Sequence, residues 1–157
     1  MENNYALLTI VRPKAVKIIC IVNAAAAVIH LIFWTLAFIK LPSPLSFESA
    51  SERANMAVSY GFGFADLLFS LPLLAISSFG LWKFRFWGWF TAQLANMCWF
   101  YSFSVLITKD LYTGKITPGT AIFLPFAIFS VWIAIYLWKM RESFMGRFSS
   151  DVSLAAK

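Results

Sequence analysis

Two ionisable side chains, Asp66 and His30, stand inside long apolar runs of this 157-residue chain, and they are the pair with which chemistry could be done. Asp66 lies within the stretch 59–77, which is otherwise apolar enough to enter a bilayer. Placing Asp at the centre of a membrane helix costs about 2.5–3.5 kcal/mol on insertion scales, so an acid there calls for a partner or a task. A carboxylate and an imidazole side by side in a low dielectric can pass a proton between them near neutral pH. That arrangement suits binding of an amphipathic cation, transport coupled to protons, or acid–base chemistry on an apolar substrate such as a double-bond shift.

Further polar residues fall on the same helical faces. Asn23, His30 and Trp34 lie within about 40° of one another at 100° per residue. Ser59, Asp66, Ser70 and Ser77 do the same on the second run. With a rise of about 1.5 Å per residue, His30 and Asp66 each come roughly 4–5 Å to the outer side of the span midpoint. Asn96 comes to the middle and Tyr101 roughly 6 Å outward, while Asn23 and Gln93 share a level roughly 6 Å inward. The expectation is one polar layer of His30, Asp66, Asn96 and Tyr101, and a second of Asn23 and Gln93. Trp34, Phe62, Phe64, Trp99 and Phe100 are expected to supply aromatic walls, as small-molecule and cationic ligands favour. The plainer alternative is that the polar groups only hold the helices together by hydrogen bonds, with Asp66 accepting from His30 and Tyr101.

Other chemistries are excluded by what is missing. A lone histidine cannot form a bis-histidine haem, and His30 with Cys98 does not make up a zinc site. Cys20 and Cys98 are far from a CxxC spacing and read as buried apolar residues. No phosphate-binding glycine loop, GxSxG elbow or HExxH helix is present, and Gly61 and Gly63 lie inside a span. No metal and no cofactor is expected.

These residues must be positioned by helices in a membrane. The chain is 61% hydrophobic and only 13% charged, about half the charged share of a soluble domain. Four apolar blocks, 15–39, 57–82, 86–108 and 117–138, each exceed the roughly 20 residues a spanning helix needs. The fold expected is an all-α integral membrane protein, a four-transmembrane-helix bundle over 15–140. An N-terminal segment 1–14 precedes it and a polar tail 141–157 follows. Lys40-Leu-Pro-Ser-Pro ends the first span, because two prolines in three residues cannot continue a helix. A helical extension over 46–56 is then expected to lead into the second span, with Ser49 and Glu52 at capping-box spacing. Pro13 fits the first turn of the first helix, and Pro72 is expected to kink the second just below Asp66.

The net charge of +6 is a threading signal. Arg12, Lys14 and Lys17, then Lys83 and Arg85, then Lys139, Arg141 and Arg147 flank the spans on one side. The other two loops hold fewer cations, partly offset by Glu48, Glu52 and Asp110. By the positive-inside rule both termini are cytoplasmic, with the bundle in the plasma membrane (the cytoplasmic membrane of a prokaryote). Trp82, Trp87 and Trp89 around the basic turn read as an interfacial aromatic belt, so nucleic acid is not expected as a partner.

The function expected is binding, with transport as one use of it, of a lipid-like or amphipathic small molecule around Asp66 and His30. An intramembrane isomerase-like enzyme on a sterol or isoprenoid-type substrate, with those two residues as acid and base, is the alternative. A structural or accessory subunit without a ligand is the third. Four spans enclose little room, and pairing of two copies would enlarge it.

Overall fold

A computed structural model describes residues 13–145. Helix α1 (Lys14–Lys40) opens directly after Pro13, which occupies the N-cap rather than the first turn. Leu41-Pro-Ser breaks it, and a 3₁₀ turn (Pro44–Ser46) leads to α2 (Ala50–Ala65). Ser49 is the N-cap of α2, but it makes no capping hydrogen bond, because its hydroxyl pairs with that of Ser51 at 2.8 Å. The expected extension over 46–56 therefore becomes helical only from Ala50.

The α2 helix runs without a loop through a π-helical turn (Asp66–Ser70) into α3 (Leu71–Trp82). The Leu71 amide bonds the Asp66 carbonyl across that wider turn. Pro72 is the next residue; it has no N–H to offer the carbonyl four residues back and its ring crowds that position. The disturbance expected from Pro72 is thus taken up just before it, at Asp66 itself. Helix α4 (Phe86–Thr113) returns, and α5 (Pro118–Lys139) completes the bundle.

Among the described residues three segments, α1, the continuous rod Ala50–Trp82, and α5, are long and apolar enough to cross a membrane. Helix α4 is long enough, but Gln93 and Asn96 lower its mean hydropathy. The bundle is apolar outside and polar within. Ile18, Ile21, Leu31, Leu36, Leu68, Phe69 and Ile128 are exposed, whereas Asn23, His30, Asp66, Ser77, Asn96 and Ser130 are buried. Water would favour the reverse pattern, so the surface fits a hydrocarbon surround.

One half of the bundle is tightly closed. Between α3 and α4 a Cβ on Gly88 would fall on the Gly80 backbone, so these two glycines let the helices touch main chain to main chain. In the turn between them Arg85 donates to the Gly80 carbonyl at 2.9 Å and Phe84 to the Leu81 carbonyl at 2.9 Å, a Schellman ending. It places Phe84 at φ 55°, a conformation usually left to glycine. Phe84 stacks on Phe144, ring centroids 4.4 Å apart, in a core with Val16, Ile19, Leu81, Trp89, Ile133 and Leu137. Residues 141–145 are helical and Phe144 is fully buried, so the expected polar tail begins inside the core; 146–157, like 1–12, lies outside the described residues.

The other half is open. Below the π turn, α3 packs along both α1 and α4, whereas above it α2 stands away from α4. Only Gly63 is buried among the residues of α2, and it is small enough for Trp34 and Phe38 of α1 to pack against it. The α1–α2 connection is tied by Tyr60, which donates to the Leu41 carbonyl at 3.2 Å, and by Arg53, which donates to the Phe47 carbonyl at 3.0 Å.

Candidate functional site

The gap between α2 and α4 is a cleft of about 330 Å³ whose deep end is Asp66. One wall is Val58, Ser59 and Phe62 of α2 with Ser70 of the π turn, and the facing wall is Cys98, Trp99, Ser102, Phe103 and Leu106 of α4. His30, Phe33 and Trp34 of α1 and Phe123 of α5 form the back, and Lys109 and Gly119 border it toward the α4–α5 loop. The lining is overwhelmingly apolar, with His30, Asp66 and Ser70 at one end, Ser59 and Ser102 along the walls and Lys109 at the other end. A few polar groups in an apolar cavity are the usual makeup of a small-molecule site.

The two helices that carry His30 and Asp66 bring them to one level, His30 Nε2 and Asp66 Oδ2 being 3.8 Å apart. That is a charge-pair distance, too long for a hydrogen bond. The hydrogen bonds to Asp66 come from elsewhere: Trp34 Nε1 donates to Oδ2 at 2.9 Å and Ser70 Oγ donates to Oδ1 at 3.0 Å. Trp34, expected as a wall, is thus the carboxylate's principal donor, four residues and about one helical turn from His30. The His30 ring is held on its other side by Nδ1, 3.1 Å from the Ala26 carbonyl. Trp99 meets it edge to face and Phe123 at a tilt, both with centroids 5.0 Å away.

Of the other expected residues, Phe62 and Trp99 line the cleft. Tyr101 does not: it is 69% exposed on the outer surface of α4 and makes no bond to Asp66. Asn96 is buried on another face, donating to Gln93 Oε1 at 3.3 Å, and Gln93 in turn donates to the Ala134 carbonyl of α5 at 3.2 Å. Phe100 is half-buried and Phe64 is exposed, both outside the cleft lining. The cause is rotational. Asn96 is two residues from Cys98, hence about 160° around α4, so the amides face α5 while Cys98 and Ser102 face the cleft.

The second layer also divides. Asn23 donates to Ser77 Oγ at 2.9 Å, joining α1 to α3, and does not meet Gln93. Ser78 adds a bond to the Cys20 carbonyl at 2.8 Å, and Trp89 Nε1 ties α4 to the Leu137 carbonyl at 2.8 Å. These bonds serve helix association, as membrane-buried amides and hydroxyls commonly do. Ser70 and Cys98 belong to the cleft but were not expected there. Ser70 was legible as an i+4 neighbour of Asp66; Cys98 carried no signal beyond its position on the wheel.

No group of three His, Cys, Asp or Glu side chains able to hold a metal ion occurs among the described residues. Compared with protein-family models, with curated proteins and with solved structures, the chain matches none.

Proposed function

We propose that this protein is a four-span membrane protein that binds a lipid-like or amphipathic small molecule in the cleft between α2 and α4, with transport as one use of that binding. The observation that carries the reading is the cleft itself, an apolar cavity of about 330 Å³ that ends on a buried carboxylate. A bundle held together only by interhelical hydrogen bonds would have no need to keep α2 off α4. In this reading α4 is also a span, the third of four in chain order, carried across the bilayer by its packing on α3 and α5 although its own hydropathy is lower. The basic α3–α4 turn and both termini face the cytoplasm, and the cleft opens toward the outer leaflet of the plasma membrane. Ligand enters from the lipid side, between α2 and α4, with Asp66 as anchor and Phe62, Trp99 and Phe103 as walls.

The test is mass spectrometry of small molecules retained by the purified protein, wild type against Ser102→Phe, which adds a ring inside the cleft. A specific amphipath present with the wild type and absent from the variant is expected. Identical profiles, or bulk lipid alone in both, would refute the reading. Acid–base chemistry on the bound molecule is the second reading, favoured by His30 Nε2 facing Asp66 Oδ2 within the cleft. It requires a converted product from a lipid extract, lost with His30→Phe.

A further inference from the structure

The deep end of the cleft has an unbalanced account of protons. Asp66 accepts from Trp34 at Oδ2 and from Ser70 at Oδ1, and both donors are neutral. The Ala26 carbonyl beside His30 Nδ1 can only accept, so Nδ1 carries a hydrogen. In a neutral ring Nε2 then presents a lone pair to Asp66 Oδ2, 3.8 Å away, and an ionised carboxylate presents lone pairs in return. Two acceptors facing each other in a low dielectric repel. A single proton removes the conflict, either on Nε2, giving imidazolium and carboxylate, or on Asp66, giving imidazole and carboxylic acid. The proton belongs to the pair rather than to either residue.

Among the described residues no other cation is placed to compensate Asp66. From α4 the titratable residues of the lining are Cys98 and Lys109; α2 presents Val58, Ser59 and Phe62, and α5 presents Gly119 and Phe123, none of which titrates. Lys109 is eleven residues beyond Cys98, about 16 Å along the helix, at the far border of the cleft. Around the pair stand Trp34, whose N–H edge is on Asp66, and the rings of Trp99 and Phe123, and aromatic faces attract positive charge.

Resting on the binding function proposed above, we infer that the ligand is a hydrophobic organic cation, an amine or quaternary ammonium, whose charged head takes the place of the proton shared by His30 and Asp66. The cation settles on the Asp66 carboxylate, the shared proton leaves through the cleft to water, and His30 is left neutral with its Nδ1 hydrogen still on Ala26. One positive charge enters and one departs. The buried charge is therefore unchanged, and binding avoids the cost of adding an ion to the bilayer interior. The apolar walls take the rest of the molecule, and the volume suits a compact body at the small end of ligand sites, about 300–1,000 Å³.

Cys98 borders the cleft and is half-buried, so its conversion to a mixed disulfide by a small methanethiosulfonate, with methanesulfinate leaving, reports occupancy when read by peptide mass spectrometry. The probes are a quaternary alkylammonium and its uncharged carbon isostere, added to full-length protein in lipid nanodiscs. Rates are normalised at each pH to the ligand-free protein, which removes the thiol's own titration. The cation is expected to protect Cys98, and its apparent affinity to rise about tenfold per pH unit while the shared proton is still bound. The isostere should not protect, Asp66→Asn should abolish protection, and His30→Phe should move the pH profile, because Asp66 alone then holds the proton that the cation displaces. Equal protection by the isostere, or a flat profile in the wild type, overturns the cation exchange and leaves the cleft as a binding site. Absence of protection by either probe, together with identical retained molecules in wild type and Ser102→Phe, overturns both.

Discussion

Replacing Asp66 by Asn separates a binding anchor from a structural clasp, because the two roles make opposite demands on stability. Asp66 receives hydrogen bonds from Trp34 and Ser70. Exchanging a charged acceptor for a neutral one weakens each bond by about 1–1.5 kcal/mol, a combined loss of about 2–3 kcal/mol. Removing the carboxylate from bilayer depth recovers about 2.5–3.5 kcal/mol on insertion scales. The two nearly cancel, so Asp66→Asn is expected to unfold within about 1.5 kcal/mol of the wild type. It should at the same time lose the retained ligand. The assay is reversible unfolding in mixed lipid–detergent micelles followed by far-UV circular dichroism, alongside mass spectrometry of bound molecules. A loss above about 3 kcal/mol, the cost of breaking a buried charge pair, with the retained molecules unchanged, would refute the reasoning and make Asp66 a clasp.

Two further outcomes test the frame around the site. Gly88→Ala should destabilise the bundle by about 1–3 kcal/mol, because its Cβ would meet the Gly80 backbone, which cannot move without separating α3 from α4. Gly61→Ala, where nothing lies within 4 Å, should be neutral or mildly stabilising in the same unfolding assay. Asp110, beyond the expected end of its span at 108, accepts from the Thr117 amide at 3.0 Å and so ties the α4–α5 loop. Burial pushes its pKa up, but that amide, the Thr120 and Thr117 hydroxyls and Lys109 outweigh it and hold the carboxyl below its ordinary value. The contribution is therefore present above the ordinary carboxylate range and lost as pH falls below about 4. Hydrogen exchange at the Thr117 amide, corrected for its intrinsic rate, should accelerate across that window, and Asp110→Asn should remove the step.

Helix positions were legible because each apolar run is punctuated by residues that stop or start helices. Leu41-Pro-Ser-Pro, the Lys83–Arg85 turn and Thr117-Pro fall where α1 ends, where α3 gives way to α4 and where α5 begins. The shared level of His30 and Asp66 was legible for an equally simple reason, since depth follows from residue count along a helix. Rotation does not. A wheel says which residues share a face, but the neighbour that the face meets is set by packing, here by the Gly80–Gly88 contact and the Trp89–Leu137 bond. Tyr101 and Asn96, expected beside Asp66, turn away from it on that account. Trp34 lines the cleft, and its bond to Asp66 was not legible because its ring reads as apolar bulk while its N–H is the group that meets the carboxylate. Phe144 stood in a polar stretch with no periodicity to mark it, and only its partner Phe84 gives it a place.

The π turn reconciles demands that a uniform helix could not meet. The rotation of α3 is fixed from below: Ser77 must meet Asn23, and Gly80 must meet Gly88. Each residue of an α-helix turns the chain by about 100°, so that rotation would dictate the facing of every residue above Ser70. The wider turn at Asp66–Ser70 breaks the dictation, because one extra residue per turn resets the register of α2 relative to α3. Gly63 can then lie against Trp34 and Phe38 while Val58, Ser59 and Phe62 line the cleft. Asp66 and Ser70 are the first and last residues of the turn, and they bond each other across it. The carboxylate thus sits where the closed half of the bundle gives way to the open half. On the proposed binding function, a molecule drawn to Asp66 would press on the segment that sets how far α2 stands from α4, and occupancy of the cleft would be coupled to its width.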